Sequence, residues 1–160
     1  MKTGLKKAGI FFAAVFITVG TCLLLRPGAK IDPTRFSDFM LASSVYSRGM
    51  GELAAQAIPA RYGVPASDVS GTKAFVGTDG TAREFAVFEA TDSQAAGRVQ
   101  KAVSVYCQGR IRNYPENSEE YERLRSFVIR RTRNYVILTV GDGTDTCLLY
   151  TSDAADDLLC

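Results

Sequence analysis

The chain has 160 residues, 46% of them hydrophobic and 22% charged, with a formal charge of +2, four Cys, no Trp and no His. That length admits one domain of ordinary size with an appendage. The missing His removes the commonest general base and metal ligand and every Ser-His or Cys-His pair, which sets aside the common hydrolase and zinc-enzyme arrangements.

A short basic arm, residues 1–7, carries Lys2, Lys6 and Lys7. Residues 8–25, from Ala8 to Leu25, then run without a charge. At about 1.5 Å per residue they would span about 27 Å, close to the hydrocarbon thickness of a bilayer, which predicts a single transmembrane helix. An uncleaved signal anchor is expected rather than a removed leader, because Pro27-Gly28-Ala29 puts Pro where a cleavage site wants a small residue. Cys22 follows Thr21 instead of Gly or Ala, and Leu23 to Leu25 continue the apolar run, so it is expected to be unmodified. A lipoprotein acylated at Cys22 is the alternative. The short basic arm favours an N-terminus inside and a domain outside the cytoplasm, although Arg26, Lys30 and Arg35 follow the segment. The expected location is the cell membrane, single-pass, with an extracytoplasmic domain.

Residues 26–35 read as a linker and 36–146 as the domain. Pro33 and Thr34 suit a helix start, and apolar residues from Phe36 to Ile58, interrupted by Gly49 and Gly51, predict a helix pair or bent helix over 34–62, stopped by Gly63. Strands are predicted at 72–77 and 83–90 around Thr78-Asp79-Gly80-Thr81. Both faces of the second are apolar, which suits a central strand. Thr91-Asp92-Ser93 caps a helix whose stripe is Ala95, Val99, Ala102, Val103 and Tyr106. A turn at Asn113-Tyr114-Pro115 leads to a short helix ending near Arg125, with Asn117 and Glu120 as its capping box and Glu119 placed to pair with Arg123. Two strands, 127–130 and 135–140, close the domain through a tight turn at Arg133-Asn134. Helices alternating with hairpins predict an α+β fold, a two-layer sandwich with an antiparallel sheet of about four strands covered by helices.

The tail, residues 147–160, does not continue this periodicity. Cys147 to Asp157 is similar to a translated transposase mosaic end and sequencing adapter, so a non-native segment is expected there. With Cys147 and Cys160 in the tail and Cys22 in the anchor, only Cys107 belongs to the domain, where no disulfide or CxxC site is available to it. Its place on an apolar helical face predicts a buried filler rather than a nucleophile.

Tyr62-Gly63-Val64, the run Arg83 to Ala90, Tyr114-Pro115-Glu116 and the run Asn134 to Leu138 together resemble the bacterial domain of unknown function 4358 family over residues 36–142. The resemblance implies a membrane-anchored or lipoprotein-like protein of Gram-positive bacteria. It carries over no catalytic residue.

Two classes of function compete on these residues. Glu84, Glu89 and Asp92 are the carboxylates from which a cell-envelope enzyme of the glycosidase kind would draw, but Glu84 and Glu89 are an odd number of positions apart and face opposite sides of a strand. There is no Gly-rich phosphate loop or metal-ligand cluster, so neither a cofactor nor a metal is expected. A non-catalytic binding or assembly module at the cell surface is the favoured reading. Its candidate anion-binding residues are Arg130, Arg131 and Arg133, with Arg110, Arg112, Arg123 and Arg125 nearby. The bland alternative is that these are solvated surface arginines. An anionic cell-wall polymer or an acidic protein is the expected partner, and nucleic acid is not, because residues 26–146 hold 16 Lys and Arg against 14 Asp and Glu.

Overall fold

The computed structural model describes residues 31–42 and 46–142. The expected anchor, most of the linker and the tail lie outside the described residues. Among the described residues, no helix is long and apolar enough to cross a membrane.

Four helices and five strands make up this region. They are α1 (Pro33–Ala42), β1 (Met50–Glu52), α2 (Ile58–Tyr62), β2 (Val69–Gly77), β3 (Glu84–Ala90), α3 (Ser93–Ile111), α4 (Glu119–Arg125), β4 (Val128–Thr132) and β5 (Tyr135–Val140). The α+β class is as the sequence predicts, and the sheet is antiparallel throughout, in the order β1-β2-β3-β5-β4. The expected four strands become five. The helix expected over 34–62 is broken into α1, the short strand β1, a 3-10 turn over Ala55–Ala57 and α2. Two glycines account for the break. Gly49 adopts φ +64°, and a Cβ on Gly51 would stand 2.7 Å from Thr78 Cγ2, so the chain between them lies against the β2–β3 loop. Met50 to Glu52 then pair with Gly77 to Phe75.

β3 lies at the centre of the sheet, and its two faces feed two cores. On one side Ala86, Phe88 and Ala90 pack with Val136, Leu138 and Val140 of β5, with Ala95, Val99, Val103 and Cys107 of α3, and with Leu124 of α4. On the other, Phe85 and Val87 pack with Phe75, Tyr135 and Ile137 beneath Phe36 and Met40 of α1. The two-layer expectation is therefore corrected: helices cover both faces. A central strand with apolar residues at every parity needs cover on each side, and α1 supplies the second.

Local signals mostly hold. Asp92 caps α3, its Oδ1 accepting from the Ala95 N–H at 2.7 Å. Gly63 ends α2 at φ +65°, with the Val64 N–H donating to the Pro59 carbonyl at 2.8 Å. The capping box at Asn117 is not formed. Asn117 turns the chain at φ +68°, and Ser118 is the cap, its Oγ accepting from the Tyr121 N–H at 3.2 Å. Glu120 is thereby moved out of the capping position.

Candidate functional site: a buried Glu-Tyr-Arg cluster

Glu84 begins β3 on the α3 side of the sheet and is fully buried. A carboxylate at such a position needs donors, since an uncompensated buried charge is strongly destabilising. The donors come from two helices. Tyr62, at the end of α2, donates its hydroxyl to Glu84 Oε1. Tyr106 of α3 donates to the same carboxylate, at 3.1 Å from Oε1 and 3.2 Å from Oε2. Arg110, one helical turn beyond Tyr106, donates through Nη1 to Oε2. The i, i+4 spacing puts ring and guanidinium on one face of α3, in line with the Val99–Val103 stripe.

Arg61 is held differently. Its Nε stands 3.5 Å from Glu84 Oε1, an ion pair rather than a hydrogen bond. Its guanidinium carbon lies 5.6 Å from the Tyr106 ring centre and 6.0 Å from that of Tyr62, within cation–π range of both. The two rings are 4.6 Å apart and tilted by 60°. Arg110 approaches the Tyr106 ring from its own position at 5.8 Å. One carboxylate thus faces two guanidiniums and two phenols.

Burial, reinforced by the Glu84 charge, pushes both phenols well above the ordinary tyrosine range. They therefore stay protonated and keep donating. Burial works against the charge of Arg61 and of Arg110, but Glu84 and the neighbouring tyrosines together more than offset it, and both stand above the ordinary arginine value. Cys107, next to Tyr106, is buried, and burial followed by the nearby Glu84 charge pushes its thiol up to about 12. A thiol so disfavoured from ionising is a poor nucleophile.

The other acids named from the sequence do not join Glu84. Glu89 lies on the opposite face, as the odd spacing requires, where it accepts from the Tyr135 hydroxyl at 3.2 Å. Asp92 is occupied as the α3 cap. Among the described residues, no group of His, Cys, Asp or Glu is placed to hold a metal ion.

The arginines are dispersed. Arg130 and Arg131 are consecutive on the edge strand β4, so their side chains leave opposite faces. Arg131 reaches α3 and donates to both the carbonyl and the Oγ of Ser93 at 2.8 Å. Arg133 is exposed in the β4–β5 turn at φ +52°. Arg123 is buried and gripped by Asp142, through Nε at 2.9 Å and Nη2 at 3.1 Å, and by Glu119 and Glu120. Arg125 and Arg112 are exposed, Arg125 beside Glu122 at 3.6 Å.

The residues of the Glu84 cluster were not linked by sequence reasoning, yet a signal was present. Glu84 has the same strand parity as Ala86, Phe88 and Ala90, so a charge had to enter an apolar face, and Tyr106 with Arg110 extends the one helix stripe that faces it. The fold and site define an α+β domain organised around a saturated buried carboxylate. No family model, curated protein or solved structure matches the chain.

Proposed function

We propose that the chain is a membrane-anchored module of the bacterial cell surface that binds or assembles instead of catalysing. Residues 8–25 would hold it in the membrane as a single pass, with the domain outside the cytoplasm. The charge-free run from Ala8 to Leu25 behind Lys2, Lys6 and Lys7 supports this placement. The observation that carries the non-catalytic reading is the state of Glu84, the carboxylate best buried for acid–base work. Two phenols and Arg110 occupy its oxygens, and Arg61 adds a second positive charge. A carboxylate whose oxygens are already taken by two phenols and a guanidinium, and which is closed off from solvent, has no oxygen free to meet a substrate proton.

The partner is anionic, either a wall polymer or an acidic protein, because the domain draws its positive charge almost wholly from arginine, which grips oxyanions through a planar fork. The test uses the full chain in detergent micelles, titrated with a glycerol-phosphate polymer and with a neutral glycan. Binding to the anionic polymer that weakens at high salt, and no binding to the neutral glycan, is the expected result. Turnover of a wall glycan or peptide by the purified chain would sink the non-catalytic reading. On intact protoplasts, added protease should remove the domain; protection of the domain would reverse the orientation.

A further inference from the structure

We infer that Arg61 is the seat of an oxyanion-binding site, built on the aromatic pair Tyr62 and Tyr106 and distinct from the arginines of the β4–β5 hairpin. This rests on the anion-binding part of the proposed function and gives it a location. Three observations converge on Arg61.

The first is charge count. Glu84 carries one negative charge, and Arg110 already meets it through a direct hydrogen bond. Arg61 is the second guanidinium on that carboxylate and approaches only to 3.5 Å, so the cluster has a surplus positive charge located at Arg61. The second is orientation. The Arg61 side chain is 36% exposed, while its inner end lies against fully buried Glu84. Among the described residues its two terminal nitrogens have no hydrogen-bond acceptor, which leaves the bidentate fork unused. The third is rigidity. The guanidinium rests against the adjoining pair of rings, 5.6 and 6.0 Å from their centres, and against Glu84, so less side-chain entropy is lost when it grips a ligand. The other arginines each lack one of these features. Arg110, Arg123 and Arg131 are spent on protein acceptors, and Arg130 and Arg133 stand on an edge strand and a turn.

The chemistry that fits is a planar or tetrahedral oxyanion, a carboxylate or a phosphoryl group, presented singly at the surface. Both can come from a free ion or from a group on a larger partner. The experiment follows the Arg61 Nε–H and the Tyr62 and Tyr106 ring signals by NMR while inorganic phosphate, and separately acetate, is added to the full chain in micelles. Saturable shifts confined to these residues are expected. Arg61→Gln should weaken binding by roughly tenfold or more. Arg61→Lys, which keeps the charge and loses the fork, should weaken it less. A preference for phosphate over acetate assigns a phosphoryl ligand, and the reverse assigns a carboxylate.

The same two variants are then titrated with the glycerol-phosphate polymer, where a loss matching that for the small ion identifies the polymer as the source. No saturable shift at Arg61, or equal affinity in Arg61→Gln, overturns the inference. So does loss of binding on combining Arg130→Gln, Arg131→Gln and Arg133→Gln while Arg61→Gln retains it. Polymer binding that persists without any response at Arg61 defeats this site and leaves the binding function intact. A clear response to phosphate without polymer binding defeats the proposed polymer partner and leaves the site. Far-UV circular dichroism of Arg61→Gln and Arg61→Lys separates lost binding from lost folding.

Discussion

Tyr62 and Glu84, 22 positions apart in sequence, share a hydrogen bond that ties the last residue of α2 to the first residue of the central strand. The carboxylate also receives Tyr106 and Arg110 of α3, so one side chain locks two helices to the sheet. Glu84→Ala should therefore cost about 3–5 kcal/mol, the usual result of removing one partner of a buried ion pair. Tyr62→Phe keeps the edge contact with Phe88 and loses only the hydroxyl, for about 1–2 kcal/mol. Denaturant unfolding followed by far-UV circular dichroism measures both. An unchanged midpoint for Glu84→Ala would mean that the cluster does not hold the helices.

The same cluster makes the fold sensitive to alkali. Tyr62 and Tyr106 stand above the ordinary tyrosine value chiefly because burial disfavours the phenolate, and Cys107 is pushed up to about 12 for the same reason. In the unfolded chain these groups lose their protons near about 10 and 8.5. Above those values the unfolded state binds fewer protons than the folded state, so stability falls as pH rises. It is fully present below about pH 8, declines first through the thiol and then, above about pH 10, through the phenols, at about 1.4 kcal/mol per pH unit for each proton. Denaturant midpoints between pH 7 and 11 read this slope. Cys107→Ala should remove the early part, and Tyr62→Phe should flatten the later part.

Local patterns in the sequence were enough to place α3 and β5. The Asp92 cap and the stripe through Ala95, Val99 and Val103 decide a helix within a few turns, and Tyr135 to Val140 is decided by its own β-branched run. β1 could not be found in this way. Three residues, one of them Gly, carry no strand period, and they become a strand only by pairing with Gly77 to Phe75. The second layer was half legible: Phe85 and Val87 demanded cover, but nothing local says that Phe36 and Met40 provide it. The candidate site was harder still, because Glu84 draws its partners from Arg61, Tyr62, Tyr106 and Arg110 on two helices whose approach is a tertiary fact.

At low pH the β2–β3 loop should loosen first at Asp79. Its carboxylate accepts from the Thr81 hydroxyl at 2.6 Å and the Thr81 N–H at 3.3 Å and pairs with Arg83 at 2.6 Å. The Thr81 hydroxyl leads in holding the carboxyl down at about 2. Since the folded value lies below the unfolded one of about 3.9, this stabilisation is present above about pH 4 and is lost as pH falls toward 2. An NMR titration of the Asp79 carboxyl should show the low midpoint, and Thr81→Ala should raise it. An ordinary midpoint in the unmodified chain would show that the loop hydrogen bonds do not form in solution.

Arg123 and Arg125, two positions apart on α4, should respond very unequally to the same substitution. Arg123 is 9% exposed and binds Asp142 just past β5 as well as Glu119 and Glu120, while Glu120 also accepts from the Ala82 N–H in the β2–β3 loop. Removing its guanidinium releases Asp142 and leaves Glu120 without its cation, so α4 loses its tie to the end of β5 and part of its tie to the loop. Arg125 is exposed, and its contact with Glu122 spans 3.6 Å on the solvent side of the helix. Exposed pairs of that kind contribute about 0–1 kcal/mol. Arg123→Gln should therefore lower stability by about 1–3 kcal/mol, and Arg125→Gln should stay within about 0.5 kcal/mol of the unmodified chain. Hydrogen exchange separates the mechanism from a general loss: in Arg123→Gln the amides of α4 should exchange faster while those of α3 keep their protection. Equal effects of the two substitutions would place Arg123 with the solvated arginines.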